Sequence, residues 1–142
     1  MASRMSLLFL VLLVVLMGSV RAGVNVVGLF GDNMVLQRDR ELPVWGIGKA
    51  GEKVTVEFLG TAKQTLVDDK GNWMVKIGPF PAGGPYEMLI TQDTASRTIK
   101  NMLVGEVWLC SGQSNMQWGV KNMNNAPTEI ANATFANIRH IT

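Results

Sequence analysis

The sequence predicts a β-sandwich followed by the opening of an α/β domain. Three observations carry this. Between residues 24 and 104, apolar residues recur at every second position, the period of a strand with one face in a core. Clusters of Gly, Pro, Asn and Asp separate these runs at short intervals, as antiparallel sheets require. After Gly105 the alternation gives way to an apolar run, a polar turn and a mixed segment.

The first 22 residues stand outside that fold. Arg4 supplies a positive start, and Leu7 to Met17 is an unbroken apolar run of 11 residues. Small Ala22 follows, with Val20 two positions before it. This is the layout of a secretory signal cut after Ala22. The run is too short for a spanning helix, which needs ~20 apolar residues. Residues 1–22 are therefore expected to be a signal peptide, with no membrane association after cleavage. The product is expected in the periplasm, the extracellular space or, in a eukaryote, the lysosome.

Residues 23–104 read as the sandwich. Val54, Val56 and Phe58 alternate with Lys53, Thr55 and Glu57, so one face is apolar and the other wet. Trp73, Val75 and Ile77 alternate with Asn72 and Lys76, and Tyr86, Met88 and Ile90 repeat the pattern against Glu87. Turn chemistry lies at Gly48–Gly51, Asp68–Asn72 and Gly78–Pro85. The turn before Trp73 is expected to close a hairpin. Nothing up to residue 104 has a helical period.

Residues 105–142 begin differently. Val107 to Cys110 reads as a strand apolar on both faces, the mark of a covered parallel sheet. A polar turn follows, with an irregular stretch from Asn122 to Pro127. A short helix is expected over Thr128–Ala133, capped by Thr128 with Glu129 in its first turn. Ile138 onward reads as another strand. This β-turn-α-β order opens an α/β domain, but such a domain takes ~100 residues or more. The second domain is expected to be incomplete within this chain.

Composition narrows the function. The chain has 13 basic and 11 acidic residues; without Arg4 and Arg21 the two signs balance. No basic patch argues for nucleic acid. Cys110 is the single cysteine, so no internal disulfide forms. It reads as a small buried apolar residue. No group of His, Cys, Asp and Glu has metal-ligand spacing, and no glycine-rich phosphate loop occurs. No cofactor is expected.

The stretch Ser111-Gly112-Gln113-Ser114-Asn115 is the candidate for chemistry. A serine past a strand and at the head of a helix is exposed, with its backbone N–H free to meet an anion. Acyl transfer needs both an accessible hydroxyl and a donor for the developing oxyanion. Gly112 lets the chain turn tightly. The pattern alone is weak, because the Gly-x-Ser-x-Gly elbow is absent; from spacing alone an ordinary polar strand-to-helix turn is the default reading.

The run "VGEVWLCSGQSNMQW", with upstream "FGDNMVLQRDRELPVWGIGKAGEKVTV" and "GNWMVKIGPFPAGGPYEM", resembles the sialate O-acetylesterase family, carbohydrate esterases of the SGNH hydrolase type. The resemblance covers the chain from residue 23 onward. It implies a β-sandwich joined to an α/β/α, flavodoxin-like hydrolase domain, and a substrate bearing sugar O-acetyl groups, on sialic acid or another glycan. It implies that Ser114 is the nucleophile and that its backbone N–H is one oxyanion donor. Gly112, Gln113 and Asn115 are implied to form the turn presenting it. The family's catalytic His and Asp come from later blocks, so residues 1–142 are expected to be a fragment with little activity alone. A stand-alone β-sandwich carbohydrate-binding module with a vestigial tail is the alternative.

Other candidates have plainer readings. His140, the only histidine, sits in an expected strand and is not assigned to catalysis. Ser111 suits backbone capping. Trp73 alternates with core residues, whereas Trp118, just after the serine turn, is the tryptophan placed to line a pocket. Trp45 and Trp108 are weaker candidates for sugar stacking. Asn132-Ala133-Thr134 fits the glycosylation acceptor pattern. The signal reading has a direct check: secreted protein should begin at or near Gly23 by N-terminal sequencing. Secreted protein that retains Met1–Ala22 would contradict it.

Overall fold

The computed structural model describes residues 23–141; the expected signal peptide lies outside the described residues. Eight strands form two sheets. They are β1 (Asn25–Val26), β2 (Val35–Gln37), β3 (Leu42–Ile47), β4 (Lys53–Phe58), β5 (Thr61–Leu66), β6 (Asn72–Ile77), β7 (Gly83–Gln92) and β8 (Ala95–Gly105). One sheet runs β1-β3-β6; the other runs β2-β8-β7-β4-β5. No strand or helix among the described residues lies outside this order except two short helices and a 3-10 turn after Gly105.

The alternation read from the sequence is what closes the core. Val54, Val56 and Phe58 of β4, Met88 and Ile90 of β7, and Ile99 and Met102 of β8 are all buried. Val44 of β3 and Trp73, Val75 and Ile77 of β6 join them, so both sheets contribute to one apolar cluster. Each such side chain contributes about 1.5–3 kcal/mol when fully buried. Phe58 sits between Phe80 and Tyr86, with ring centroids 5.1 and 5.9 Å away in edge-on geometry. Phe80 comes from the segment between β6 and β7, and Tyr86 from β7.

Two expectations inside this unit change. The turn at Asp68–Asn72 is not a hairpin. β5 pairs with β4 through Leu59-Gly60, both at positive φ, while β6 pairs with β3 in the other sheet. The reason is in the side chains. β5 (TAKQTL) has no buried residue and suits an edge, whereas β6 must bury Trp73, Val75 and Ile77. The intervening turn is self-contained. Asp68 Oδ1 accepts from the N–H groups of Lys70 (2.9 Å) and Asn72 (2.8 Å), and these bonds, that of Asn72 first, hold its carboxyl below the usual carboxylate range. Second, the pairing is not wholly antiparallel: β2 lies parallel to β8, with Val35 opposite Leu103 and Gln37 opposite Gly105.

The tail departs further from expectation. Val107–Cys110 is irregular rather than a strand, and so is the chain from Ile138. A parallel strand needs partners brought alongside by crossovers, and no described strand pairs with either segment. The helices are α1 (Ser114–Gln117) and α2 (Ala126–Asn132). α2 starts two residues earlier than expected. Its cap is Asn125, at φ 59°, and Pro127 occupies its first turn, where proline's fixed φ and missing N–H are tolerated. Thr128 is inside the helix, and Glu129 does fall in its first turn.

Gly46 is required by close approach. A Cβ there would strike the Asn25 carbonyl and come within 2.7 Å of the Trp73 indole, which lies across it in the β3–β6 register. Gly46→Ala is therefore expected to destabilise the unit by about 1–3 kcal/mol. Gly28→Ala, where nothing lies within 4 Å, should change stability by less than about 0.5 kcal/mol. Urea unfolding of the two variants checks this; equal midpoints would contradict it.

Candidate active site

β8 delivers the chain to Gly105, whose carbonyl accepts the Arg38 N–H at 2.9 Å. From there the chain runs over the surface. Trp108 is 82% exposed and Leu109 96%. Cys110 is exposed as well, contrary to the buried position expected. It belongs to the same uncovered segment, and no described residue packs over it. Ser111 is also exposed.

Ser114 is the first residue of α1, and Gln113 is its N-cap. The Gln113 carbonyl accepts the Met116 N–H at 2.9 Å, and the Ser114 carbonyl accepts the Trp118 N–H at 3.1 Å. These bonds fold one tight turn around the serine. Its side chain is exposed, and its N–H is one of the first-turn amides that a helix leaves without an internal partner. Gly112 suits its φ of 156°, where a side chain is strained, and a Cβ there would come 3.0 Å from Met116 Cγ. Gln113 and Asn115 are exposed, and Gln113 makes no side-chain cap bond. Met116 is thus the residue that folds back on the turn.

Comparison with known proteins bears on this turn. No protein-family model matches the chain. Sialate O-acetylesterase of Rattus norvegicus is 38% identical over 118 residues, covering 75% of this chain and 22% of the relative. The Homo sapiens enzyme of that name is 33% identical over 130 residues, covering 82% and 25%. The chain matches an N-terminal portion of the sialate O-acetylesterase family. It spans about a quarter of the length of these sialate O-acetylesterases. The crystal structure of a carbohydrate acetylesterase from Xanthomonas citri superposes with a TM-score of 0.71 at 36% identity, covering 76% of this chain and 25% of that one.

The remaining candidates lie apart from Ser114. Among the described residues, the side-chain hydrogen bonds of the segment after Gly105 are those of Glu106 and Arg139. None joins Ser114 to His140, which is exposed. Trp118 is 64% exposed and lines neither of two surface concavities, both on the two-sheet unit. The larger, about 680 Å³, is bordered by Trp45, Ile47, Leu66 and Met74; the smaller, about 390 Å³, by Glu57, Leu59 and Leu89. Trp73 is buried, as its alternation indicated. Trp45 is half-buried, edge-on to Phe30 at 5.0 Å. No group of three or more His, Cys, Asp or Glu gathers among the described residues. No described helix is long and apolar enough to cross a membrane.

The sequence reading missed Gln37, Glu106 and Arg139, which tie this segment to the sheets. The available signal was slight: a lone amide ending the apolar run Met34-Val35-Leu36. The exposure of Cys110 gives a direct check. A thiol reagent should modify it in the folded 142-residue chain at close to the denatured rate. Strong protection without denaturant would show that the segment packs against the sheets.

Proposed function

We propose that this chain is the N-terminal portion of an exported carbohydrate O-acetylesterase whose nucleophile is Ser114. The observation that carries the reading is the exposed Ser114 hydroxyl at the first position of α1, within the Gly-Gln-Ser-Asn-Met block. The esterase names of the relatives and of the structural neighbour support it; those names do not favour a stand-alone binding module. The chain divides at Gly105 into a β-sandwich domain (23–104) and the first part of an SGNH-type α/β/α domain (105–142), with residues 1–22 directing export.

In the reaction, Ser114 Oγ attacks the acetyl carbonyl of an O-acetylated sugar. Negative charge develops on the carbonyl oxygen, and N–H groups including that of Ser114 hold it. The C–O bond to the sugar breaks, the sugar oxygen takes a proton, and an acetyl-Ser114 ester remains. Water then releases acetate and restores the serine. A serine hydroxyl needs an adjacent base to act near neutral pH. The resemblance to the sialate O-acetylesterases implies a base from a later block, and His140 is not assigned that role. A protein of the relatives' length supplies room for it. The exposed apolar side chains of Trp108, Leu109, Phe135 and Ile138 are the surface that the rest of an α/β domain would cover.

Acetate release from an O-acetylated sugar tests the reading, in a protein of the relatives' full length. Ser114→Ala should lower kcat by about 10³-fold or more. Ser111→Ala and His140→Ala should retain most activity. Full activity in Ser114→Ala, or its loss in His140→Ala alone, would overturn the assignment.

A further inference from the structure

The segment carrying Ser114 is tied to the sheets along one edge. β2 and β8 run in parallel up to Gln37 and Gly105, and strand pairing ends there. The Gln37 side chain continues it. Its Oε1 accepts the Val107 N–H at 2.8 Å, and its Nε2 donates to Glu106 Oε2 at 3.0 Å. Oε1 thus stands where the carbonyl of one more strand residue would stand. Arg38 Nε lies 3.4 Å from Glu106 Oε1, so the carboxylate is held from two sides. Farther along, Arg139 donates to the Asn101 carbonyl and, at 3.1 Å, to Asn101 Oδ1. Asn101 Nδ2 donates to Asn33 Oδ1 at 2.6 Å. Asn33 precedes β2 and Asn101 lies in β8, so the second tie falls on the same edge as the first.

We propose that Gln37 is a positioning residue for the Ser114 segment: it extends the β2–β8 ladder past Gly105 and fixes the direction in which the chain leaves the sheets. Both polar atoms of its amide reach Glu106 and Val107, the first residues after the ladder, and Nε2 also donates to the Arg38 carbonyl at 3.4 Å. Those residues have no other ladder bond to a described strand. The chain reaches Ser114 seven residues beyond Val107, so an error in its exit direction is carried toward the nucleophile. A misplacement of about 1 Å far from the chemistry can cost as much as 10²-fold in rate. The catalytic consequence rests on the esterase reading above; the ladder itself does not.

Two measurements on Gln37→Met, which keeps length and removes all three side-chain hydrogen bonds, decide this. In the 142-residue chain, amide exchange at Val107 should quicken about fivefold, the loss of one ordinary hydrogen bond. Gln64→Met, on the far edge strand β5, should leave Val107 unchanged. In a protein of the relatives' length, Gln37→Met should lower kcat for acetate release about tenfold or more, with KM within about twofold and Tm nearly unchanged. Unaltered Val107 exchange would overturn the ladder. Altered exchange with unaltered kcat, or a kcat loss matched by a fall in Tm, would overturn the positioning role. A wild type without Ser114-dependent acetate release would overturn the esterase reading and the catalytic consequence together, while Val107 exchange would still decide the ladder.

Discussion

The placement of everything after Gly105 depends on how β8 is held. This 11-residue strand lies between β2 and β7 and buries Ile99, Met102 and Val104 in the common core. Its antiparallel pairing with β7 shifts register around Tyr86, and beyond that irregularity its last residues pair with β2 in parallel. An edge strand of only three residues thereby becomes the platform on which the chain turns outward. Its one buried residue, Leu36, roots it in the core, while Gln37 faces the departing chain.

Much of the two-sheet unit was legible because its physics is local. Burial of one face forces a period of two, and β4, β6 and β7 show that period without ambiguity. What the period cannot reveal is the partner. β6 carries the same signature whether it pairs with β5 or with β3, and the polar character of β5 was the only hint that it sits at an edge. The parallel β2–β8 contact joins residues 68 apart (Val35 and Leu103), and no local pattern encodes it. The short apolar run Val107–Cys110 shows the converse. It has strand composition, but composition supplies no hydrogen-bond partner, and without one the segment is irregular and exposed.

The candidate site divides in the same way. The place of Ser114 at the start of a helix was readable from its neighbours, since Gly112 and the polar turn break the preceding apolar run. Gln37 and Arg139 were not readable, because their significance comes only from what lies opposite them in space. Cys110 was misplaced for a related reason: the burial of a small apolar residue depends on what covers it, not on its own character.

An acyl-forming nucleophile at Ser114 should be open to a covalent trap. A serine-directed organophosphonate should react with a protein of the relatives' full length. Peptide mass spectrometry should then find a single adduct, on the peptide containing Gly112–Gln117 and localised to Ser114. Prior incubation with an O-acetylated sugar should slow its formation. An adduct on Ser111, or no adduct in a protein that releases acetate, would contradict that role for Ser114.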